Sequence, residues 1–182
     1  IIKDNFLENL KFNKQKIIEE LSNDKNIILE KFLQFINFHD FDKDIITDKA
    51  PQNFIWIGFI KLFFPNCKII HCSRNPKDNC LSLYKNYFSS PTMSWAYDQI
   101  EIGKYYNLYR KIMTFWKSKF NDFIFDANYE NLVNSPEVEV KKMLSFCNLN
   151  WEADCLNFYN NKKTPVQTVS VSQASKPIYK SS

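Results

Sequence analysis

Arginine is scarce in this 182-residue chain: of its 24 basic residues, only Arg74 and Arg110 are not lysine. Arg74 comes directly after the β-branched run Lys68-Ile69-Ile70-His71-Cys72 and Ser73, and Ser82 follows it by eight positions. A guanidinium presents a planar fork of charge-assisted donors, and a hydroxyl adds one more. The pair therefore has the chemistry of a clamp for a phosphate-like anion. A surface arginine paired to Asp78 is the plain alternative. At about 100° per residue, a helix from Pro76 puts Cys80, Tyr84, Tyr87 and Phe88 on one stripe and Asp78, Ser82 and Lys85 on the other, so Ser82 faces away from the core.

Other residue types point away from metal or nucleophilic chemistry. The five cysteines (Cys67, Cys72, Cys80, Cys147 and Cys155) are odd in number and form no CxxC pair. They read as small buried hydrophobes in a reducing, cytoplasmic setting rather than as disulfides or zinc ligands. His39 and His71 stand alone, with no HExxH. His71 falls inside the β-branched run and reads as a satisfied core histidine. Tyr105, Tyr106, Tyr109, Phe115 and Trp116 have helical spacing and read as core. The two glycines, Gly58 and Gly103, leave no room for a GxxxxGK loop or a GxGxxG fingerprint.

The elements that must hold these residues alternate in type. Apolar residues at helical spacing from Asn5 to Phe38 predict two or three amphipathic helices, with a break near Ser22-Asn23-Asp24. A short extended piece, Asp44 to Thr47, leads to Pro51 at a helix start, with Phe54 to Phe64 as the helix body. The run Lys68 to Cys72 predicts a buried parallel strand, and Pro76 to Phe88 a helix after it. Ser89 to Ser94 is expected as loop, Tyr97 to Phe120 as a long helix, and Phe123 to Phe125 as a second strand. Ser135 and Pro136 then open a helix that turns Val140, Met143, Leu144, Phe146 and Cys147 inward. The tail from Lys162 to Ser182 is expected to be irregular.

This alternation implies an α/β layer architecture with a parallel sheet, in which ligands bind beyond the carboxyl ends of the strands. Those ends are Thr47 to Lys49, Ser73 to Pro76 and Asn128 to Leu132. The length fits one domain. A charge of +4, with 45% hydrophobic and 24% charged residues, excludes wholesale disorder and a nucleic-acid footprint. No apolar run is long enough for a membrane span.

The run CKIIHCSRNPKDNCLSLYKNYF, Cys67 to Phe88, resembles the strand, turn and helix of sulfotransferases that use 3′-phosphoadenosine 5′-phosphosulfate as donor. Four further islands match in order: Thr47 to Phe54, Tyr129 to Val133, Ser135 to Glu137, and Thr168 to Lys180. The text is most similar to bacterial sulfotransferases fused to tetratricopeptide repeats, and more distantly to protein-tyrosine sulfotransferases. The resemblance implies a P-loop NTPase-like parallel sheet flanked by helices, incomplete at the N-terminus. It implies that Arg74 and Ser82 hold the donor's 3′-phosphate, Tyr129 contacts adenine, and Ser170 and Lys176 reach the donor. Lys49 takes the place of a basic group beside the transferring sulfonyl, and Glu130 fixes a turn or helix end.

Some family features have no counterpart in this text. A PRSGTT-like loop for the 5′-phosphosulfate is not found, nor is the acidic base of the tyrosine branch. Asn75 stands where many relatives carry aspartate, and Ala174-Ser175 where a basic residue is frequent. The expectation is therefore a partial sulfotransferase domain, 1–182, inactive as an excerpt. The full enzyme would use no metal and yield adenosine 3′,5′-bisphosphate, with a carbohydrate, peptide tyrosine or small alcohol as acceptor. The loops Phe88 to Trp95 and Lys162 to Val169 would border the acceptor. A kinase-like P-loop protein and a non-catalytic interaction module of the same fold are the competing classes.

Overall fold

In the computed structural model, residues 26, 27, 30, 34, 45–88, 90–160, 177 and 178 are described, and the chain divides into two compact units, Ile1–Asn66 and Cys67–Ser182. In the first unit, Asn26, Ile27, Glu30 and Gln34 are helical, in line with the apolar periodicity of that region. The rest of the expected N-terminal helices lies outside the described residues.

Residues 45–50 are exposed and carry no regular structure. Ala50 is extended at φ −134° and ψ 125°, as a residue before proline is forced to be. Pro51 opens a helix as expected, but the single helical body over 54–64 is corrected. A 3₁₀ helix, Pro51–Ile55, comes first, Trp56 at φ −100° and ψ 6° interrupts, and the α-helix α1 then runs Ile57–Phe63. The cause is local, since the bonds from Asn53 N–H to the Ala50 carbonyl and from Trp56 N–H to the Asn53 carbonyl span three residues and tighten the turn.

In the second unit, strands β1 (Ile69–Ser73) and β2 (Ile124–Asn128) pair in parallel. The register runs from Ile69 opposite Ile124 to Ser73 opposite Asn128. The crossover between them holds α2 (Pro76–Lys85), a 3₁₀ helix (Pro91–Tyr97), α3 (Gln99–Lys119) and a 3₁₀ turn (Asn121–Phe123). Helices α4 (Tyr129–Asn134) and α5 (Pro136–Phe146) follow β2 and pack on it. Phe125 meets Phe146 with ring centroids 5.4 Å apart. The result is a helix-rich α/β unit around a small parallel sheet.

The core of this unit is Ala96, Ile102, Met113, Phe123, Ile124 and Ala127. Asp98 starts α3 by accepting from the N–H groups of Ile100 and Glu101 at 2.7 and 3.0 Å, and Trp95 stacks on Tyr105 at 3.9 Å. Tyr105, Tyr106, Tyr109 and Trp116 are partly covered, while Phe115 is half-exposed. On α5, Val140, Met143, Leu144, Phe146 and Cys147 are all partly covered.

Several expectations shift. Helix α2 stops at Lys85 because Asn86 turns extended, so Tyr87 leaves the inward stripe and is 81% exposed. Tyr84 is exposed too, leaving Cys80 and Leu83 as the covered side. The loop expected at 89–94 contains the start of a 3₁₀ helix led by Pro91. Strand β2 begins one residue later than the expected Phe123 and runs on to Asn128. Strand β1 is not buried on both faces: Ile69, His71 and Ser73 are partly covered, whereas Ile70 and Cys72 are exposed. The covered set is the one that faces α3, as the bond between His71 and Tyr109 shows.

Candidate functional site

The parallel register explains the main feature of the site. Ser73 and Asn128 are partners at the ends of the two strands, so the next residue of each chain segment, Arg74 and Tyr129, emerges at the same level. The Arg74 guanidinium lies over the Tyr129 ring, 5.0 Å from its centroid, within the range of cation–π attraction. The Arg74 side chain is 31% exposed, and its Nη2 stands 4.0 Å from Asp78 Oδ2. That separation is the outer limit of an ion pair and too long for a hydrogen bond.

Around this pair, polar groups hold the two turns. Asn75 is the N-cap of α2, its Oδ1 accepting from Lys77 N–H at 2.9 Å. Asn128 caps α4 in the same way through Asn131 N–H at 2.9 Å. The Glu130 carboxylate joins the two turns: Oε1 accepts from Asn75 N–H at 2.8 Å and Oε2 from Asn128 Nδ2 at 2.9 Å. The Asn75 N–H, the Glu130 backbone N–H, the Asn128 amide and the Arg74 charge together hold the Glu130 carboxyl below its ordinary range, against a smaller opposing effect of burial.

Ser82 is exposed on α2, one turn beyond Asp78 on the stripe that also carries Lys85. Asn86 Nδ2 donates to the Ser82 carbonyl at 2.6 Å and lies 3.4 Å from its Oγ. The outward placement of Asp78, Ser82 and Lys85 agrees with the helical spacing. Lys49 is exposed in the first unit, in a turn held by Asn53 Nδ2 donating to Asp48 Oδ2 at 2.8 Å. Ser170 and Lys176 lie outside the described residues.

Farther back on the same strands, His71 is bonded at both ring nitrogens. Its Nδ1 stands 2.6 Å from Asp126 Oδ1 and its Nε2 2.5 Å from the Tyr109 hydroxyl. An ionised carboxylate can only accept, so Nδ1 carries the proton, and in the neutral ring Nε2 accepts from Tyr109. Lys117 Nζ reaches the same Asp126 oxygen at 2.6 Å. Burial pulls the Asp126 carboxyl upward, but the bonds from Lys117 and His71 outweigh it and leave the carboxyl below its usual value. Burial, then Tyr106 and Asp126, pushes the Tyr109 hydroxyl up. His71 is thus satisfied at both ring nitrogens, as the sequence suggested, but is partly covered rather than in the buried core.

The cysteine reading needs correction at Cys72, which is exposed because it points off the face of β1 away from α3. The other four are partly covered. Burial pushes the Cys80 and Cys147 thiols up, with Lys68 opposing it at Cys147, so neither is a poised thiolate.

The sequence reading did not find the roles of Asn75, Asn128, Asp126, Tyr109 and Lys117. For Asn75 a signal existed, because Asn75-Pro76 is the same cap-then-proline pair as Ser135-Pro136. For the His71 partners there was none. They come from two other elements, β2 and α3, and meet only when the chain folds. The segment from Phe88 to Trp95 is closed by Tyr97, whose hydroxyl donates to the Phe88 carbonyl at 2.8 Å and accepts from its N–H at 2.7 Å.

The chain is similar to an uncharacterized protein of Aquifex aeolicus (strain VF5), with 41% identity over 139 residues, which is 75% of this chain and 18% of that protein. The chain therefore spans less than a fifth of the length of that relative. The family model described as the sulfotransferase family matches residues 7–153. That match takes in the whole strand, turn and helix of Arg74 together with both paired strands, and the chain belongs to the sulfotransferase family.

Proposed function

We propose that this chain is part of a P-loop-type sulfotransferase domain that takes the sulfonyl group of 3′-phosphoadenosine 5′-phosphosulfate to a hydroxyl or amine acceptor. The observation that carries the reading is the Arg74 guanidinium over the Tyr129 ring just beyond the carboxyl ends of two parallel strands. A fixed cation beside a flat aromatic suits a ligand that carries a phosphate next to a purine. Ser82 then supplies a hydroxyl donor to the 3′-phosphate from the exposed stripe of α2, and Tyr129 offers its ring to adenine. Ser170 and Lys176 are assigned further donor contacts by resemblance alone.

Lys49 is assigned to the reacting sulfonyl by resemblance alone. The acceptor oxygen or nitrogen attacks sulfur in line as the bond from sulfur to the 5′-phosphate oxygen breaks, adenosine 3′,5′-bisphosphate leaves, and the acceptor's proton passes to solvent. An ammonium there neutralises charge on the departing oxygen without needing to act as a base. No metal enters this scheme. The resemblance to tetratricopeptide-repeat sulfotransferases, a cytoplasmic setting, and a carbohydrate, peptide tyrosine or small alcohol as acceptor complete the proposal.

The test is calorimetry of adenosine 3′,5′-bisphosphate on the full-length gene product. Arg74→Ala should weaken binding by about 1.5–3 kcal/mol, the range for losing charged hydrogen bonds. An unchanged affinity rejects the donor-site assignment. Lys49→Ala should lower turnover about 100-fold while donor affinity changes little. A magnesium requirement for turnover would point to phosphoryl chemistry instead.

A further inference from the structure

We propose that Glu130 is a positioning residue of the donor site: its carboxylate braces the turn after β1 against the turn after β2 and so sets the spacing of Arg74 and Tyr129. The inference rests on the donor-site reading above and extends it to a residue that would not touch the ligand.

The geometry is direct. Asn75, whose N–H donates to Glu130 Oε1 at 2.8 Å, is the residue after Arg74. Tyr129 is the residue before Glu130 itself. Asn128, which donates to Oε2 at 2.9 Å, is the residue before Tyr129 and the last of β2. One carboxylate therefore ties together the backbone just beyond Arg74 and the side chain just ahead of Tyr129, with each oxygen serving a different turn. The strand ladder ends at Ser73 and Asn128, and from there the brace continues the register by side-chain bonds. The Arg74 charge is also among the influences holding the carboxyl low. Glutamate suits the task because a carboxylate accepts at both oxygens, whereas an amide accepts at one and donates at the other.

Three variants test this in the full-length gene product. In the ligand-free wild type, the Asn75 amide resonance should move as pH falls through the Glu130 titration, and Tyr129 ring protons should show nuclear Overhauser contacts to the Arg74 side chain. Glu130→Gln should abolish the amide titration and keep part of the contact, since its carbonyl can still accept from Asn75. Glu130→Ala should lose the contact and weaken adenosine 3′,5′-bisphosphate binding about ten-fold, with Glu130→Gln between it and wild type and Glu130→Asp too short to rescue fully. Retention of both the contact and the affinity in Glu130→Ala overturns the proposal. If Glu130→Ala does not fold, wild-type contact and affinity in Glu130→Gln overturn it. If Arg74→Ala weakens the bisphosphate but the Glu130 variants do not, the positioning role fails and the donor site stands. If wild type binds no bisphosphate, the donor site fails, and the ligand-free contact alone decides the brace.

Discussion

Two polar clusters stand three residues apart on the same pair of parallel strands, and they are built differently. At mid-strand, His71 is 11% exposed with both ring nitrogens bonded, and Lys117 shares the Asp126 oxygen. At the carboxyl end, the bonds run mostly between side chains and backbone, from Glu130, Asn75 and Asn128. There the Arg74 guanidinium, 31% exposed, lies across Tyr129, and Ser82 is open to solvent. In the mid-strand network His71 and Tyr109 are partly covered and Asp126 is exposed, every member has a partner, and a satisfied network of this kind serves to fix packing. At the strand end, Glu130, Asn75 and Asn128 secure the turns, Arg74 and Tyr129 are partly covered, and Ser82 is exposed. That arrangement suits the proposed donor site.

The comparison is broken or sharpened by exchanging the readouts. Arg74→Ala, the largest expected effect, should cost the binding energy stated above while the unfolding midpoint stays within the scatter of surface substitutions. Asp126→Asn should do the reverse, lowering stability by about 1–2 kcal/mol, with the low end favoured because the carboxylate is 51% exposed, and leaving bisphosphate affinity unchanged. A loss of affinity in Asp126→Asn would end the division between the two clusters.

Acid titration gives a further check. The native Asp126 and Glu130 carboxyls are both held below their ordinary values, so the unfolded chain binds more protons than the native one in that window. Their stabilisation is complete above the ordinary carboxylate range and is lost as pH falls through the lowered native values. In denaturation curves taken across that range, Asp126→Asn should be less sensitive to acid than wild type. Equal slopes would show that Asp126 gains nothing from Lys117 and His71.

Smaller effects test the supports of each cluster. Gly103 lies inside α3, the helix that carries Tyr109, and a Cβ built there meets nothing within 4 Å. Gly103→Ala should raise stability by about 0.5–1 kcal/mol through lower backbone entropy in the unfolded chain and leave the strand-end site untouched. Asp78→Asn removes the carboxylate 4.0 Å from the Arg74 guanidinium. Bisphosphate affinity should rise about two-fold, the scale of an exposed pair. A fall would mean that Asp78 orients the guanidinium instead of competing for it.

The elements around the candidate strand-end site were legible because their signals are local. A β-branched run followed by Arg74, a proline-led helix, and Ser82 two turns on are all within sixteen residues, and the helical period alone turned Ser82 outward. Element ends were less legible. Asn86 ends α2 early and Trp56 splits the helix after Pro51, where each takes non-helical torsions although the apolar pattern would continue. The exposure of Ile70 and Cys72 could not be read from a β-branched run, since covering of the second face depends on what packs there.

By itself, the amino-acid text determined the residue types and the order of the α/β elements, and it excluded a glycine-rich phosphate loop within this stretch. It also carried the family, because the islands around Arg74 and Tyr129 are short runs in which sequence neighbours do the work. Only the tertiary structure decided which distant residues meet. The one-to-one register of His71 with Asp126 and of Ser73 with Asn128 brings residues 55 positions apart into contact. That register sets Asp126 beside the histidine and Glu130 between the two turns, while the packing of α3 brings Tyr109 to the histidine and Lys117 to Asp126. The physical reason is that strand pairing is a long-range contact, set by backbone hydrogen bonds that look alike at every residue, so the partner of each position is fixed by the fold and not by local composition.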